Sequence, residues 1–195
     1  MDKRKIIIYS MLLSVILVIT WTPALAGGET RYLKSNIHYQ ERPDRGGKTV
    51  CRASYANYTD PGQGHKILPV NTQVEINLTK GWRGRQLTIT NLADGTLIHF
   101  EYNERNMKIP MQDYIGLISS SKKVSLKGLS KLDRQGIRNG KAYKGMSKKG
   151  VIMALGYPAK HRTPSLDDNS WTYWKDRYRT TVITFNSKGK VKEIR

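Results

Sequence analysis

Cys51 and the four histidines, His38, His65, His99 and His161, are the side chains here that could run nucleophilic or acid–base chemistry. A thiol becomes a strong nucleophile when a neighbouring histidine takes its proton, so Cys51 with His65 or His99 is the pair to weigh. The plainer reading is a cysteine buried as a small hydrophobe, with histidines on loops. No H-E-x-x-H, G-x-S-x-G, C-x-x-C or phosphate-loop pattern accompanies them. No catalytic residue is assigned, and the chain reads as a non-enzyme. Asp167-Asp168-Asn169 offers oxygen donors of the kind a hard cation takes. It lacks the further ligands of a calcium loop and reads as a solvated turn, so no metal and no cofactor is expected.

Binding chemistry is better represented. Tyr143, Trp171, Tyr173, Trp174 and Tyr178 are interleaved with Lys144, Lys148, Lys149, Lys175, Arg177 and Arg179. Strand alternation sends Trp171 and Tyr173 to one face and Trp174 to the other, so one set must leave the core. With Trp174 outward, it and the six cations would form a surface for an anionic, partly apolar ligand, such as a lipid head group or an acidic peptide. The alternative is sheet packing with a solvated rim of lysines.

The charge distribution points the same way. The chain of 195 residues holds 34 Lys+Arg against 15 Asp+Glu, a formal net charge of +19. Residues 27–121 hold 12 basic and 9 acidic side chains, whereas residues 122–195 hold 19 and 5. Such a field favours anionic partners. Lys3-Arg4-Lys5, an apolar run from Ile6 to Ile19 and Ala24-Leu25-Ala26 have the form of a secretory signal peptide cut after Ala26. The apolar run is shorter than the roughly 20 residues of a membrane span. Residues 1–26 are therefore expected to be removed and the mature chain to be periplasmic or secreted. In that setting the partners would be an envelope protein, anionic lipid or polysaccharide such as lipopolysaccharide, and not nucleic acid. No transmembrane span is expected after signal removal. A single cysteine excludes an internal disulfide, and its absence from the cleavage site argues against a lipid anchor.

Two kinds of element must position these residues. In residues 27–121, Val74, Ile76 and Leu78, then Leu87 and Ile89, then Ile98 and Phe100 alternate with polar residues. With turns at Lys80–Gly84 and Ala93-Asp94-Gly95, they predict a three-stranded meander. Residues 32–39 and 50–58 supply shorter strands, and residues 111–121 a short helix. In residues 122–195 one helix begins near Ser130 and ends at Gly140. A second is capped by Ser147, presents Val151, Ile152 and Leu155, and stops at Gly156 and Pro158. Three strands follow, around Trp171–Trp174, Thr181–Phe185 and Val191–Ile194, the last two joined by a turn at Asn186–Gly189.

Gly145-Met146-Ser147-Lys148, then Val151, Leu155, Gly156 and Pro158, Trp171-Thr172-Tyr173, Ile183-Thr184-Phe185 and Gly189-Lys190-Val191 occur in an order that resembles the BamE (SmpA/OmlA) family of outer-membrane assembly lipoproteins. The resemblance covers residues 125–195. It implies two helices packed on a three-stranded antiparallel sheet, a fold similar to that of the β-lactamase inhibitory protein. Ile67-Leu68-Pro69-Val70-Asn71-Thr72-Gln73-Val74 more weakly resembles the entry into a bacterial SH3-like barrel. The expectation is a mixed β and α+β chain, with an SH3-like small β-barrel at 27–121 and a BamE-like domain at 122–195. Its function would be to bind an anionic partner in the cell envelope, in outer-membrane assembly or integrity. The alternatives are an inhibitor or regulator of an envelope hydrolase and a peptidoglycan-binding module.

Overall fold

The computed structural model describes residues 28–81 and 84–195. The expected signal peptide lies outside the described residues, as do Trp82 and Arg83 of the expected 80–84 turn. The chain forms a mixed α/β structure with an eight-stranded sheet, a three-stranded sheet and four helices among the described residues.

The large sheet takes strands β1 (Glu29–Leu33), β2 (Ile37–Pro43), β3 (Thr49–Ser54), β4 (His65–Leu68), β5 (Gln73–Gly81), β6 (Gly84–Asn91), β7 (Leu97–Glu101) and the two-residue β8 (Ser119–Ser120), in the order β4-β2-β3-β7-β6-β5-β1-β8. The predicted meander is β5-β6-β7. Its register sets Ile76 opposite Ile89 and Ile89 opposite Ile98, so the alternating apolar positions stack into one buried row. The expected strand over 32–39 is split, because Lys34–Asn36 turn the chain between β1 and β2. The Pro69–Thr72 stretch is a tight turn rather than strand: Thr72 N–H donates to the Pro69 carbonyl at 3.1 Å, and Asn71 takes a φ of 66°. β3 joins β7 in parallel, a pairing between segments far apart in sequence that local periodicity does not disclose. Helix α1 (Glu104–Met107) and helix α2 (Met111–Ile118) lead out of the sheet. Tyr114, Ile115 and Ile118 of α2 close the core.

The second unit is built from α3 (Lys131–Asn139), α4 (Lys148–Leu155) and the antiparallel sheet β9 (Ser170–Trp174), β10 (Thr180–Phe185) and β11 (Val191–Ile194), ordered β11-β10-β9. Ile137, Val151 and Leu155 pack with Trp171, Tyr173, Ile183, Phe185 and Val191 in a core separate from that of the large sheet. Both helix starts converge on the buried Asp133. Its Oδ2 accepts from the backbone and hydroxyl of Ser130 (3.1 and 2.9 Å), and its Oδ1 accepts from Ser147 N–H (2.7 Å). Burial works against its charge, but these hydrogen bonds outweigh burial and hold the carboxyl below its usual range. Gly150 admits this approach, since a Cβ there would stand 2.3 Å from Asp133 Oδ1.

The face expected for α4 needs one correction. Val151 and Leu155 are buried, but so are Gly150, Met153 and Ala154, while Ile152 is only half-buried. Helix α4 packs on α3 as well as on the core of its own sheet, and its last turn meets the N-terminal unit, so more than one side of it is covered. No helix among the described residues is long and apolar enough to cross a membrane.

Candidate anion-binding surface

An α-helix leaves its last carbonyls without internal partners. In α4 those of Met153, Ala154 and Leu155 are taken by the N-terminal unit. Asn36 N–H donates to Met153 O at 2.9 Å, and the Asn36 amide donates to Ala154 O at 3.2 Å and to Ile137 O of α3 at 2.7 Å. The Asn57 amide donates to Leu155 O, and His38 Nε2 donates to Ala154 O at 2.9 Å. Gly156 turns the chain away at φ 76°, ψ −171°, a region essentially reserved for glycine. A Cβ there would stand 2.5 Å from the Asn57 amide nitrogen.

This seam absorbs two of the histidines. His38 must carry its proton on Nε2 to reach Ala154, so its Nδ1, 3.0 Å from His65 Nε2, accepts from that second ring. Burial, with a smaller contribution from His65, outweighs the Ala154 hydrogen bond and lowers His38 to about 4. Burial also lowers His65, against the opposing charge of Asp60. The thiol–histidine pair considered from sequence is not assembled. Cys51 faces the core side of β3 opposite Ile98, while His99 pairs with Arg52 on the other face and is exposed. Burial pushes the Cys51 thiol up, away from thiolate character.

The predicted cations divide between opposite ends of the small sheet. At the end where β9 begins, the Lys148 ammonium donates to the carbonyls of Leu166, Asp167 and Asp168 at 2.9, 3.0 and 2.8 Å. It also stands 5.2 Å from the Trp171 ring centroid and 5.3 Å from that of Phe185. All three of its protons are thereby used. The Asp167–Asn169 loop does hold a cation, but through backbone oxygens, and the cation is Lys148. Among the described residues no three His, Cys, Asp or Glu side chains gather at metal-binding distance. Lys144 and Lys149 are exposed near this end. Lys149 and Lys34 line a groove of about 510 Å³ whose walls include Ile152, Met153, Tyr157 and Leu166.

At the other end the β9–β10 hairpin carries Lys175, Arg177 and Arg179. Asp176 accepts from the backbone of Tyr178 and of Arg179, both at 2.8 Å, and from the Arg179 guanidinium. These bonds hold its carboxyl at about 2. Arg179 is therefore paired, Arg177 is exposed, and Lys175 is tied through its backbone to Asp60. Trp174 leaves the C-terminal core, as alternation requires, but is half-buried rather than fully exposed. It packs on the N-terminal core, stacks on His161 with centroids 6.4 Å apart, and lies 5.5 Å from the Arg162 guanidinium.

A cationic surface not singled out from sequence lies on α3. Lys131, Arg134 and Arg138 recur at spacings of three and four, which puts them on one side of the helix, and all three are exposed. Among the described residues none meets a carboxylate within 4.0 Å, and Arg134 reaches only the Leu126 carbonyl at 3.5 Å. The only acidic residue of α3 is the buried Asp133. A helical projection of 127–141 would have disclosed the stripe. Comparison with protein-family models, with curated proteins and with solved structures gave no match.

Proposed function

We propose that this protein is a non-enzymatic, exported cell-envelope protein that docks on anionic lipid through its C-terminal unit, with a role in outer-membrane assembly or integrity. In this reading residues 27–121 are an SH3-like unit and residues 122–195 a BamE-like unit. The arrangement of two helices over a three-stranded antiparallel sheet is compatible with the second of these.

One observation carries the reading: three of the five carboxylates of the C-terminal unit are spent internally, and the other two, Asp167 and Asp168, meet none of the α3 cations within 4.0 Å among the described residues. Asp133 caps helices, Asp176 pairs with Arg179 and Glu193 pairs with Arg195. The remaining cations, with Lys131, Arg134 and Arg138 foremost, are left to an external anion. Each lysine or arginine near an anionic bilayer contributes about 1 kcal/mol. The apolar groove beside Lys149 gives acyl carbons a place that a purely polar surface would not.

The test is co-sedimentation with phosphatidylcholine vesicles, with and without phosphatidylglycerol, at low salt. The expected result is pelleting with the anionic vesicles only, lost as ionic strength rises. Equal binding to both vesicle types would sink the proposal.

A further inference from the structure

A second cleft, of about 440 Å³, lies between the outer face of β2 and β3 and the tip of the β9–β10 hairpin. It opens onto both units. Arg42 and Arg52 come from the sheet, and Arg177 from the hairpin. The β2–β3 register sets Gln40 opposite Arg52 and Arg42 opposite Val50, so the two sheet arginines are diagonal neighbours on one face. None of the three guanidiniums has a salt bridge or a hydrogen-bonded partner among the described residues. Glu101, on the same face beside Ser54, is likewise unpaired. Asp176, which also lines the cleft, is already neutralised by Arg179. Tyr58 and Tyr178 add two phenol rings. Tyr178 is 86% exposed, on a turn held in place by Asp176.

We infer that this cleft binds a carboxylated oligosaccharide, with Arg42, Arg52 and Arg177 holding its carboxylates and Glu101 accepting from its hydroxyls. Guanidinium matches the planar carboxylate with two parallel hydrogen bonds, which a lysine does not. An anion alone would have no use for Glu101, whereas a ligand with both acidic and hydroxyl groups uses both signs. The phenol rings offer flat apolar faces to sugar rings. An extended peptide is disfavoured by topology. Peptides commonly join a sheet at a free edge, and β2 and β3 are both internal, flanked by β4 and β7. A ligand here must be held by side chains. The volume falls in the range of small-ligand sites, roughly 300–1,000 Å³.

Isothermal titration of the full chain with tetragalacturonate tests this, with neutral maltotetraose and with citrate as controls. Tetragalacturonate should bind, maltotetraose should not, and citrate should bind more weakly. Arg52→Gln and Arg177→Gln, one in each unit, should each weaken tetragalacturonate binding by about tenfold, with an unchanged thermal transition. No binding of tetragalacturonate, binding unaffected by both variants, or citrate binding equally well would each overturn the inference. The lipid reading is separable: Arg134→Gln with Arg138→Gln should leave the titration unchanged, and Arg52→Gln, outside the C-terminal unit, should leave vesicle binding unchanged.

Discussion

The seam between the two units and the outer face of α3 use polar side chains in opposite ways. At the seam Asn36, His38 and Asn57 are buried and matched to the ends of α3 and α4, and within the C-terminal unit the half-buried Lys148 is likewise matched, to three carbonyls. On α3, Lys131, Arg134 and Arg138 are exposed and have no carboxylate partner among the described residues. In a count of charges Lys148 and Arg138 are the same. In the folded chain one fastens a loop and the other faces water. Net charge therefore overstates the binding surface by each cation that the fold consumes.

The seam gives the largest expected effect. Asn36→Ala removes the amide donor to the buried carbonyls of Ile137 and Ala154, leaving Ile137 with only the 3.3 Å bond from Gly140 N–H, and leaves the half-buried Val70 N–H, which Asn36 Oδ1 accepts at 2.9 Å, without its partner. A loss of about 3–4 kcal/mol is expected. Because the two cores are distinct, the variant should also uncouple them. In urea, tryptophan fluorescence and far-UV circular dichroism should trace one transition for the unmodified chain and two for the variant. Coincident transitions with a loss under about 1 kcal/mol would mean that the seam is incidental.

The second effect is a pH dependence confined to the seam. His38 is lowered from 6.5 to about 4, so the unfolded chain binds more protons than the folded chain between those values. Stability is then fully present above pH 6.5 and falls as the pH drops toward 4, by on the order of 3 kcal/mol. His65, also lowered, acts in the same direction. Carboxylates titrate across part of this window, so the informative quantity is a difference. The stability of the unmodified chain minus that of His38→Gln should change with pH between 6.5 and 4. A difference that stays flat would show that His38 is not the group responsible.

What was legible in the sequence followed local periodicity. The β5-β6-β7 meander, α3 with its Ser130 start and Gly140 end, α4 with its Ser147 cap, and the last three strands can each be read from alternation or helical spacing within about ten residues. What was hidden depends on long-range pairing. Asn36, His38 and Asn57 are ordinary polar residues in a β-rich stretch. Their significance appears only when α4, about a hundred residues later, presents its carbonyls to them. Arg42 and Arg52 likewise become a site only when the hairpin brings Arg177 across. Trp174 was half legible: alternation gave its direction, but the surface that covers it belongs to the other unit.

The smallest stability effect gives the sharpest separation between the two kinds of cation. Lys148→Met keeps an apolar stem over Trp171 and Phe185 but removes the donors that three carbonyls share. Those carbonyls belong to an exposed loop and can turn to water, so the loss should be about 2 kcal/mol rather than the larger penalty of a sealed site. Binding to phosphatidylglycerol vesicles should be nearly unchanged, because the ammonium is already occupied. Arg134→Gln with Arg138→Gln should do the reverse, with stability within about 0.5 kcal/mol and vesicle binding weaker by about 1 kcal/mol per charge. Thermal denaturation and co-sedimentation on the same two preparations decide it. If Lys148→Met abolished vesicle binding while the fold persisted, the ammonium would have to leave its carbonyls to meet the bilayer, and the division between consumed and available cations would fail at its clearest member.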